Sequence, residues 1–373
     1  MASLTAIRPS QPAPAGAAGG FVFVPVSGPG GAGEYYRSLA IAHGIVARWP
    51  HARVQFVLNR HASYATACPF PTLLLDDSPT RDVAPVIDLI CRERPDAVIF
   101  DSAGRVAQFK AAARVGAVRV YISSRPKTRW KGFKLNRMHW LDEHWIASPA
   151  FLGLGLTLFE RAKLWLMPAV RIRFLPTFFE PPTPELCATV LARLGLGADR
   201  FVLLCPGGAG RFAGLGSGPA IFADAAARLA GTSRKAVLLV GAPAGFEAPG
   251  VRALGTLPNA ELMALAGAAS LCVINGGSLL LQCLAQGAAC IGVPIAGDQA
   301  TRIEGCARHR AVRPAGFSAD AIVAAATPLL GDEEQLAGLR AAARGLELSN
   351  GVDIAISALD ALLARRSGSA RAR

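Results

Sequence analysis

The sequence predicts an α/β protein of two doubly wound domains that face one another across a cleft. The chain has 373 residues, which exceeds the size at which a single hydrophobic core usually divides, so two domains are expected. Short apolar runs alternate with amphipathic helical patterns in both halves, as is typical of a parallel sheet covered by helices on both faces. A proline-rich segment at residues 179–184 separates the two series.

The first half begins with an apolar run at residues 21–26, which predicts a buried strand. A cluster of glycines follows this run, and residues 34–48 then show the spacing of a helix. The remaining elements predicted for this half are, in chain order, a strand at 54–59, a helix at 83–94, a strand at 97–100, a helix at 106–114 and strands at 119–122 and 144–147.

The proline-rich segment cannot continue a helix or a central strand, because proline lacks the amide donor and fixes φ. The alternation then resumes with a strand at 201–205 and a glycine-rich loop at 207–218. The later elements predicted are, in order, a helix at 220–229, strands at 236–240 and 251–253, a helix at 260–266, a strand at 271–274, a helix at 279–286, a strand at 289–293 and helices at 300–309, 319–330 and 352–365.

These elements divide the chain into five segments. The first, rich in Ala, Pro and Ser, lacks the charged start and apolar stretch of a signal peptide, so we expect a flexible leader. The predicted segments are the leader 1–20, an N-terminal Rossmann-like domain 21–179, a linker 180–184, a C-terminal domain 185–350, and a C-terminal helix with a basic tail at 351–373.

The net charge of +13 suggests a nucleic acid, an anionic membrane surface or a phosphorylated substrate as the partner. Residues 125–173 hold ten Lys or Arg against three acids, together with four of the five tryptophans. No zinc-finger spacing or RNA-binding aromatic motif accompanies them, so no nucleic-acid partner is expected. Tryptophans beside cations suit a peripheral membrane contact, and a charged face over core tryptophans is the alternative.

Residues 262–297 contain no charged side chain, which raises the possibility of a membrane span. Glycines, amides and a proline interrupt this stretch at intervals that suit a strand, a turn, a helix and a strand, so we expect a buried core instead. The eight cysteines form no Cys-x-x-Cys pair and lie mostly in apolar runs, which indicates buried thiols in a reducing, cytoplasmic compartment.

The strongest functional motif is Asn275-Gly276-Gly277-Ser278, which joins a predicted strand to a predicted helix. Glycines let the backbone approach a ligand, and the first N–H groups of a helix that opens at Ser278 suit a phosphate. Asp298 and Gln299 follow the next strand, so a carboxylate and an amide are expected on the same rim, where they suit sugar hydroxyls.

A second motif, Gly28-Pro29-Gly30-Gly31-Ala32-Gly33, follows the first strand, and Glu34 opens the helix after it. Glu34 is a candidate general base, and an ordinary acid of a helix first turn is the alternative. A nicotinamide enzyme would show this glycine spacing, but it needs an acid after the second strand, where Asn59 and Arg60 stand. A third glycine motif, Pro206-Gly207-Gly208-Ala209-Gly210-Arg211, follows the first strand of the second half.

The C-terminal motif resembles the nucleotide-sugar-binding end of GT-B proteins. These include the family 28 glycosyltransferases related to the lipid-linked N-acetylglucosamine transferase of peptidoglycan synthesis, and the nucleotide-sugar hydrolase of pseudaminic acid synthesis. Such proteins carry a glycine pair, a helix with Glu, then Gly-x-Pro, a strand, Pro and Asp-Gln. Here the corresponding residues are Gly276-Gly277, Gln282 at the Glu position, Gly287-Ala288-Ala289, Pro294 and Asp298-Gln299.

The resemblance implies roles for individual residues. Gln282 stands where the relatives hold the ribose, and the loop with Thr256 and Leu257 corresponds to the one against the base. Gly207, Gly208 and Arg211 would line the cleft near the diphosphate. In the N-terminal motif, Gly31, Gly33 and Arg37 match the relatives' Gly-x-Gly-His-x-x-Arg stretch, and Glu34 takes the His position of their proposed base. Asp101, at the end of its own strand, is the next candidate base.

The resemblance therefore implies a GT-B glycosyltransferase that needs no metal or cofactor. It would move a sugar from a nucleotide diphosphate sugar, UDP-linked, to a lipid-linked or cell-surface saccharide of the cell envelope. The expected location is cytoplasmic and peripheral, at the inner face of the membrane. Two alternatives remain open, a nucleotide-sugar hydrolase and a non-catalytic nucleotide-sugar-binding subunit.

Overall fold

The computed structural model describes residues 19–28, 32–152, 155–207, 217–297 and 299–371. Within these residues the chain forms two parallel sheets, one of seven strands and one of six. This arrangement confirms the predicted α/β class with two Rossmann-like halves. The candidate residues Gly31, Gly208, Arg211 and Asp298 lie outside the described residues.

The first sheet has the strand order β3-β2-β1-β4-β5-β6-β7. Its central strands are continuous apolar runs, because helices cover both faces and bury the side chains that point to either side. The elements of this half are β1 (Gly20–Pro25), α1 (Gly33–Arg48), β2 (Arg53–Asn59), β3 (Thr72–Leu75), α2 (Val83–Glu93), β4 (Ala97–Asp101), α3 (Val106–Arg114), β5 (Val118–Ser123), α4 (Pro126–Gly132), α5 (Leu135–Met138), β6 (Glu143–Ile146), α6 (Leu158–Leu166) and β7 (Arg171–Phe174).

The second sheet has the strand order β10-β9-β8-β11-β12-β13 and is likewise buried on both faces. Its elements are α7 (Pro184–Arg193), β8 (Phe201–Cys205), α8 (Gly218–Thr232), β9 (Ala236–Val240), β10 (Val251–Leu254), α9 (Asn259–Ala268), β11 (Leu271–Asn275), α10 (Ser278–Ala285), β12 (Cys290–Val293), α11 (Gln299–Arg308), β13 (Val312–Pro314), α12 (Ala319–Leu330), α13 (Glu333–Gly345) and α14 (Gly351–Arg371).

The last helix, α14, returns to the first sheet. Ala355, Ala358 and Leu359 belong to a hydrophobic cluster on one face of that sheet. A Cβ on Gly44 of α1 would lie 2.6 Å from Val352, so this glycine lets the two helices pack closely. The chain crosses from one half to the other twice, once between β7 and α7 and once between α13 and α14. The two crossings are joined where the Gly351 N–H donates to the Thr177 carbonyl at 2.6 Å.

Several elements were not predicted from the sequence. The strands β3, β7 and β13 have only three or four residues each and form sheet edges, so each leaves a very short pattern in the sequence. The helices missed were α4, α5, α6, α7 and α13. Pro184, which we assigned to the linker, is the first residue of α7, and Thr183 caps that helix by accepting from the Leu186 N–H at 3.2 Å.

The uncharged stretch at residues 262–297 is a buried core, as predicted. It runs through the end of α9 and then through β11, α10 and β12, which lie in or against the second sheet. Among the helices of the described chain, none is both long and apolar enough to cross a bilayer.

Candidate active site

A cavity of about 370 Å³ lies between the two halves at the carboxyl ends of the strands. Parallel sheets bind ligands at this edge, because loops there expose backbone N–H groups and helix N-termini. The first half contributes Gly33, Tyr36, Arg37, Leu39, Ala40, Ser124, Arg125, Ala147 and Ser148; the crossing contributes residues 176–180; the second half contributes Asn259, Ser278, Leu281, Gln282 and Arg302.

The second half presents the N-terminus of α10 to this cavity. Ser278, the first residue of α10, is exposed and lines the cavity wall. Gly277 precedes it and has no side chain with which to cap the helix. The first N–H groups of a helix lack partners within the helix and carry its positive end, so this terminus suits an anionic group.

Asn275 holds the two glycine motifs of the second half together. Its Oδ1 accepts from the Gly277 N–H at 2.7 Å, and its Nδ2 donates to the Pro206 carbonyl. A Cβ on Gly207, whose φ is +78°, would lie 1.9 Å from the Asn275 amide. A Cβ on Gly276 would lie 2.7 Å from Ile303 of α11. Asn275, Gly207 and Gly276 are thus required by packing, and in this structure they do not line the cavity.

Gln282 lines the cavity, but both ends of its amide already have protein partners. Its Nε2 donates to the Phe178 carbonyl of the crossing at 2.6 Å, and its Oε1 accepts from Asn259 at 3.2 Å. Asn259 in turn accepts from the Glu180 N–H at 2.8 Å. A glutamate at this position has no N–H to donate to Phe178, which gives a physical reason for Gln where the relatives have Glu.

Glu34 lies in the first turn of α1, directly after Gly33 of the cavity wall. Its side chain is buried, and its Oε1 lies 3.7 Å from Nη2 of the exposed Arg125. Arg125 itself lines the cavity. A Cβ on Gly33 would contact nothing within 4 Å, so the fold does not require glycine there and the space beside it stays open.

Asp101 and Arg37 form a buried ion pair behind this wall. Arg37 donates from Nε and Nη2 to the two carboxylate oxygens of Asp101, at 2.7 and 2.6 Å. Burial raises the pKa of Asp101 to about 6, although the charge of Arg37 and its hydrogen bonds act in the opposite direction. Asp101 is fully buried, whereas Arg37 reaches the cavity, so the carboxylate orients the guanidinium.

The remaining candidates lie around this centre. Thr256 is exposed and Leu257 is half-buried, on the connection between β10 and α9. Gln299 begins α11, and its Oε1 accepts from the Ile295 N–H at 3.0 Å. None of these three lines the cavity as the structure describes it. Among the described residues there is also no group of three or more His, Cys, Asp or Glu that could hold a metal ion.

The structure adds cavity residues that the sequence analysis missed. Ser124 and Ser148 follow β5 and β6 at the carboxyl edge of the first sheet, and Tyr36, Asn259 and Arg302 lie on the helices α1, α9 and α11. The available signal was that the two serines lie within two residues of the ends of the strands predicted at 119–122 and 144–147. No local pattern marked the three helical residues, because only the packing of the two halves brings them to the same cavity.

The comparisons with known proteins identify the fold. No protein-family model matches the sequence, and no curated protein matches it. Solved structures do match over nearly the whole chain. Spinosyn forosaminyltransferase SpnP has a TM-score of 0.61 and 15% identity, and the match covers 93% of this chain and 99% of that one. Arabidopsis thaliana UGT89C1 complexed with UDP has a TM-score of 0.62 and 16% identity, with the same coverage.

Acinetobacter baumannii MurG, another of these structures, has a TM-score of 0.59 and 14% identity, and the match covers 92% of this chain and 99% of that one. At these identities the likeness establishes the architecture. The chain therefore has the GT-B fold expected from the sequence, and it is structurally similar to GT-B glycosyltransferases.

Proposed function

We propose that this protein is a glycosyltransferase that moves a sugar from a nucleotide diphosphate sugar, UDP-linked, to a lipid-linked or cell-surface saccharide. In this proposal residues 21–179 form the acceptor domain and residues 185–350 the donor domain. The observation that carries it is the cavity between the halves, whose wall includes Ser278 at the open N-terminus of α10 and Gly33, the residue directly before the buried acid Glu34.

The donor is assigned to the second half. Its diphosphate would lie at the N-terminus of α10, where Ser278 lines the cavity and the first N–H groups of the helix lack partners within the helix. The ribose would lie near Gln282, whose Oε1 can accept a further hydrogen bond, and the base near Thr256 and Leu257. From the resemblance, Asp298 and Gln299 are assigned to the sugar, and Gly208 and Arg211 to the diphosphate side.

The reaction follows from these positions. Glu34 takes the proton of an acceptor hydroxyl, and the hydroxyl oxygen attacks the anomeric carbon of the donor sugar. The bond from this carbon to the diphosphate breaks, and UDP leaves with the electron pair. The positive end of α10 and the cations of the cleft stabilise the developing charge, and this is the basis for proposing a metal-independent enzyme.

The experiment that tests the proposal measures UDP release from a panel of UDP-sugars, with and without saccharide acceptors. A transferase releases UDP only when an acceptor is present and yields an elongated saccharide. Release without an acceptor would instead indicate the hydrolase. Thermal stabilisation by a UDP-sugar without turnover would indicate a binding subunit, since a ligand of the native state raises the melting temperature.

Residues 125–173, which hold four of the five tryptophans, support a membrane contact, although not every tryptophan of this region is exposed. Trp145 is fully buried, and its Nε1 donates to Glu143 at 2.7 Å, so it belongs to the core. On α6, in contrast, large apolar side chains face outward, with exposed fractions of 81% for Leu158, 82% for Phe159, 82% for Trp165 and 56% for Leu166. The ion pair of Glu160 with Arg129, at 2.7 Å, anchors the other side of this helix.

We propose that this outward face of α6, which we call the α6 face, inserts shallowly into an anionic membrane that carries the acceptor. Arg161 and Lys163 on the same helix would contact the head groups, as in other interfacial amphipathic helices. Large exposed apolar side chains that cluster on one helix indicate an interaction surface.

Phe159→Ser combined with Trp165→Ser is expected to weaken binding to phosphatidylglycerol vesicles about tenfold or more, because two large side chains no longer leave water. Co-sedimentation measures this, and binding of a soluble UDP-sugar should be unchanged. Leu74→Ser on β3, which removes another exposed apolar side chain, is the matched control and should bind vesicles normally. A wild-type protein that ignores such vesicles at low salt would disprove the membrane contact.

A further inference from the structure

Side-chain amides of the second half bind the first crossing, residues 176–180, along its backbone. Gln282 donates from Nε2 to the Phe178 carbonyl at 2.6 Å. Asn350 donates from Nδ2 to the carbonyl of the next residue, Phe179, at 2.8 Å. The crossing is therefore held at successive peptide groups rather than at a single point.

A third amide, that of Asn259, completes this set. It accepts from the Glu180 N–H at 2.8 Å and donates from Nδ2 to Oε1 of Gln282 at 3.2 Å. Asn259 and Gln282 are half-buried and line the cavity between the halves. Asn350 is 8% exposed and does not line that cavity in the described structure. We call the side-chain amides of Asn259, Gln282 and Asn350 the amide clamp.

Asn350 joins the first crossing to the second. Its Oδ1 accepts from the Val352 N–H at 3.0 Å and so caps α14, while its Nδ2 holds the first crossing. Beside it, the Gly351 N–H donates to the Thr177 carbonyl, and a Cβ on Gly351 would lie only 2.7 Å from that oxygen. The two crossings are thus packed too closely for a side chain at this glycine, and a shift of one must move the other.

Both crossings contact α1, the helix that carries Glu34. The Arg37 guanidinium of α1 lies 5.9 Å from the centre of the Phe178 ring, and Phe178 packs on the hydrophobic cluster of the first sheet. After the second crossing, Val352 of α14 packs against Gly44 of α1. The position of α1 relative to the second half therefore depends on where the amide clamp holds the crossings.

We propose that the amide clamp positions α1, and Glu34 on it, relative to the N-terminus of α10. Asn350 is then a positioning residue, since it acts through the crossings and lies outside the cavity. The inference deepens the proposed function, on which it rests, because it names residues that align the two substrates for transfer. A misplacement of reacting groups by about 1 Å can lower turnover about 100-fold, so alignment affects turnover more than donor affinity.

The test replaces Asn350, because a variant at a residue outside the cavity does not remove a substrate contact. Asn350→Asp keeps the oxygen that caps α14 and loses the N–H groups that bind the Phe179 carbonyl. Its turnover is expected to fall about tenfold or more, while its affinity for a UDP-sugar stays at the wild-type value. Steady-state kinetics and calorimetry measure the two quantities.

Amide hydrogen exchange provides a readout that does not depend on activity. In Asn350→Asp the amides of the first crossing and of the first two turns of α1 are expected to exchange about tenfold faster, because the clamp no longer restrains them. The helix α8, which packs with α12 on the other face of the second sheet, should exchange at the wild-type rate.

Asn350→Ser is a neutral second variant, because serine also caps a helix but is too short to reach the Phe179 carbonyl. It should reproduce both effects, which excludes the introduced charge as their cause. The matched control Asn136→Asp makes the same chemical change at an exposed asparagine of α5. This control should leave turnover and exchange at their wild-type values.

Three outcomes would overturn the proposal. The first is faster exchange of the crossing with no change in α1, and the second is faster exchange in α1 with normal turnover. The third is an equal loss of UDP-sugar affinity and of turnover, which would indicate an effect on the donor site. If the wild type binds a UDP-sugar but transfers it to no acceptor, the proposed transferase fails, and exchange in α1 still decides whether the amide clamp positions this helix. The two inferences are therefore distinguishable.

Discussion

Glu34→Gln is expected to lower turnover about 100-fold or more, because the variant keeps the shape of the side chain and removes the carboxylate that takes the acceptor proton in the proposed reaction. Glu34 is buried in the first turn of α1, beside Gly33 of the cavity wall and 3.7 Å from Arg125. Donor affinity should change little, since the donor is assigned to the second half. Steady-state turnover and calorimetry with a UDP-sugar measure the two effects separately.

The matched control for this variant is Glu180→Gln. Glu180 lines the cavity between the halves, but it lies on the crossing between the sheets and is half exposed, whereas Glu34 is buried behind Gly33 of the wall. The same chemical change there should leave turnover near the wild-type value. Near-normal turnover of Glu34→Gln would reduce Glu34 to an acid that stabilises the start of α1, and the base would have to be another group of the cavity.

Asp101→Ala is expected to lower the free energy of unfolding by about 3–5 kcal/mol, because it leaves the Arg37 guanidinium buried without its counter-charge. The side chain of Arg37 is 12% exposed and that of Asp101 is fully buried. Urea unfolding at pH 7, above the pKa of about 6, measures the effect while the carboxylate is ionised. Arg37→Met combined with Asp101→Leu should recover much of the loss, since no unpaired charge then remains.

Asp360→Ala provides the comparison, because Asp360 pairs with Arg48 of the same helix α1 at 2.9 Å, in a more exposed position. Exposed pairs contribute about 1 kcal/mol or less, so this variant should be far milder. If Asp101→Ala costs no more than Asp360→Ala, the pair does not hold Arg37 in place. Asp101 would then return as a candidate base.

The order of strands and helices could largely be predicted from the sequence, because it depends on local patterns. In a parallel sheet the central strands are buried on both sides, so β1, β4, β8, β9 and β11 appear as uninterrupted apolar runs. The glycine motifs after β1 and β11 could also be predicted from local sequence. Turns at the carboxyl edge of the sheet pass close to a ligand or to a neighbouring helix, and glycine allows this approach.

Elements with weak local patterns could not be predicted. The strand β13 has three residues, and two of them are exposed. The helix α6 carries Leu158 and Trp165 on its solvent side, which is the opposite of the pattern that marks a helix packed on a core. A helix whose apolar side points to solvent can be recognised only when the packing of that helix is known.

The roles of individual side chains depended on the tertiary structure even where the residue types were recognised. The sequence predicts Asp101 as a candidate base at a strand end and places Gln282 where the relatives hold the ribose. In the structure Asp101 is bound by Arg37, which lies 64 residues away, and Gln282 is bound to Phe178, which lies 104 residues away. A hydrogen bond between such distant residues leaves no trace in the local sequence around either of them.

What the sequence by itself determined is the class of fold, the order of the main elements and the glycine-rich edge at which a ligand would bind, because backbone geometry and burial act over a few neighbouring residues. Only the tertiary structure decided that α14 packs back on the first sheet and that the crossing at residues 176–180 lines the cavity between the halves. These features arise from contacts between distant segments, whose free energy depends on how the two sheets and their helices pack.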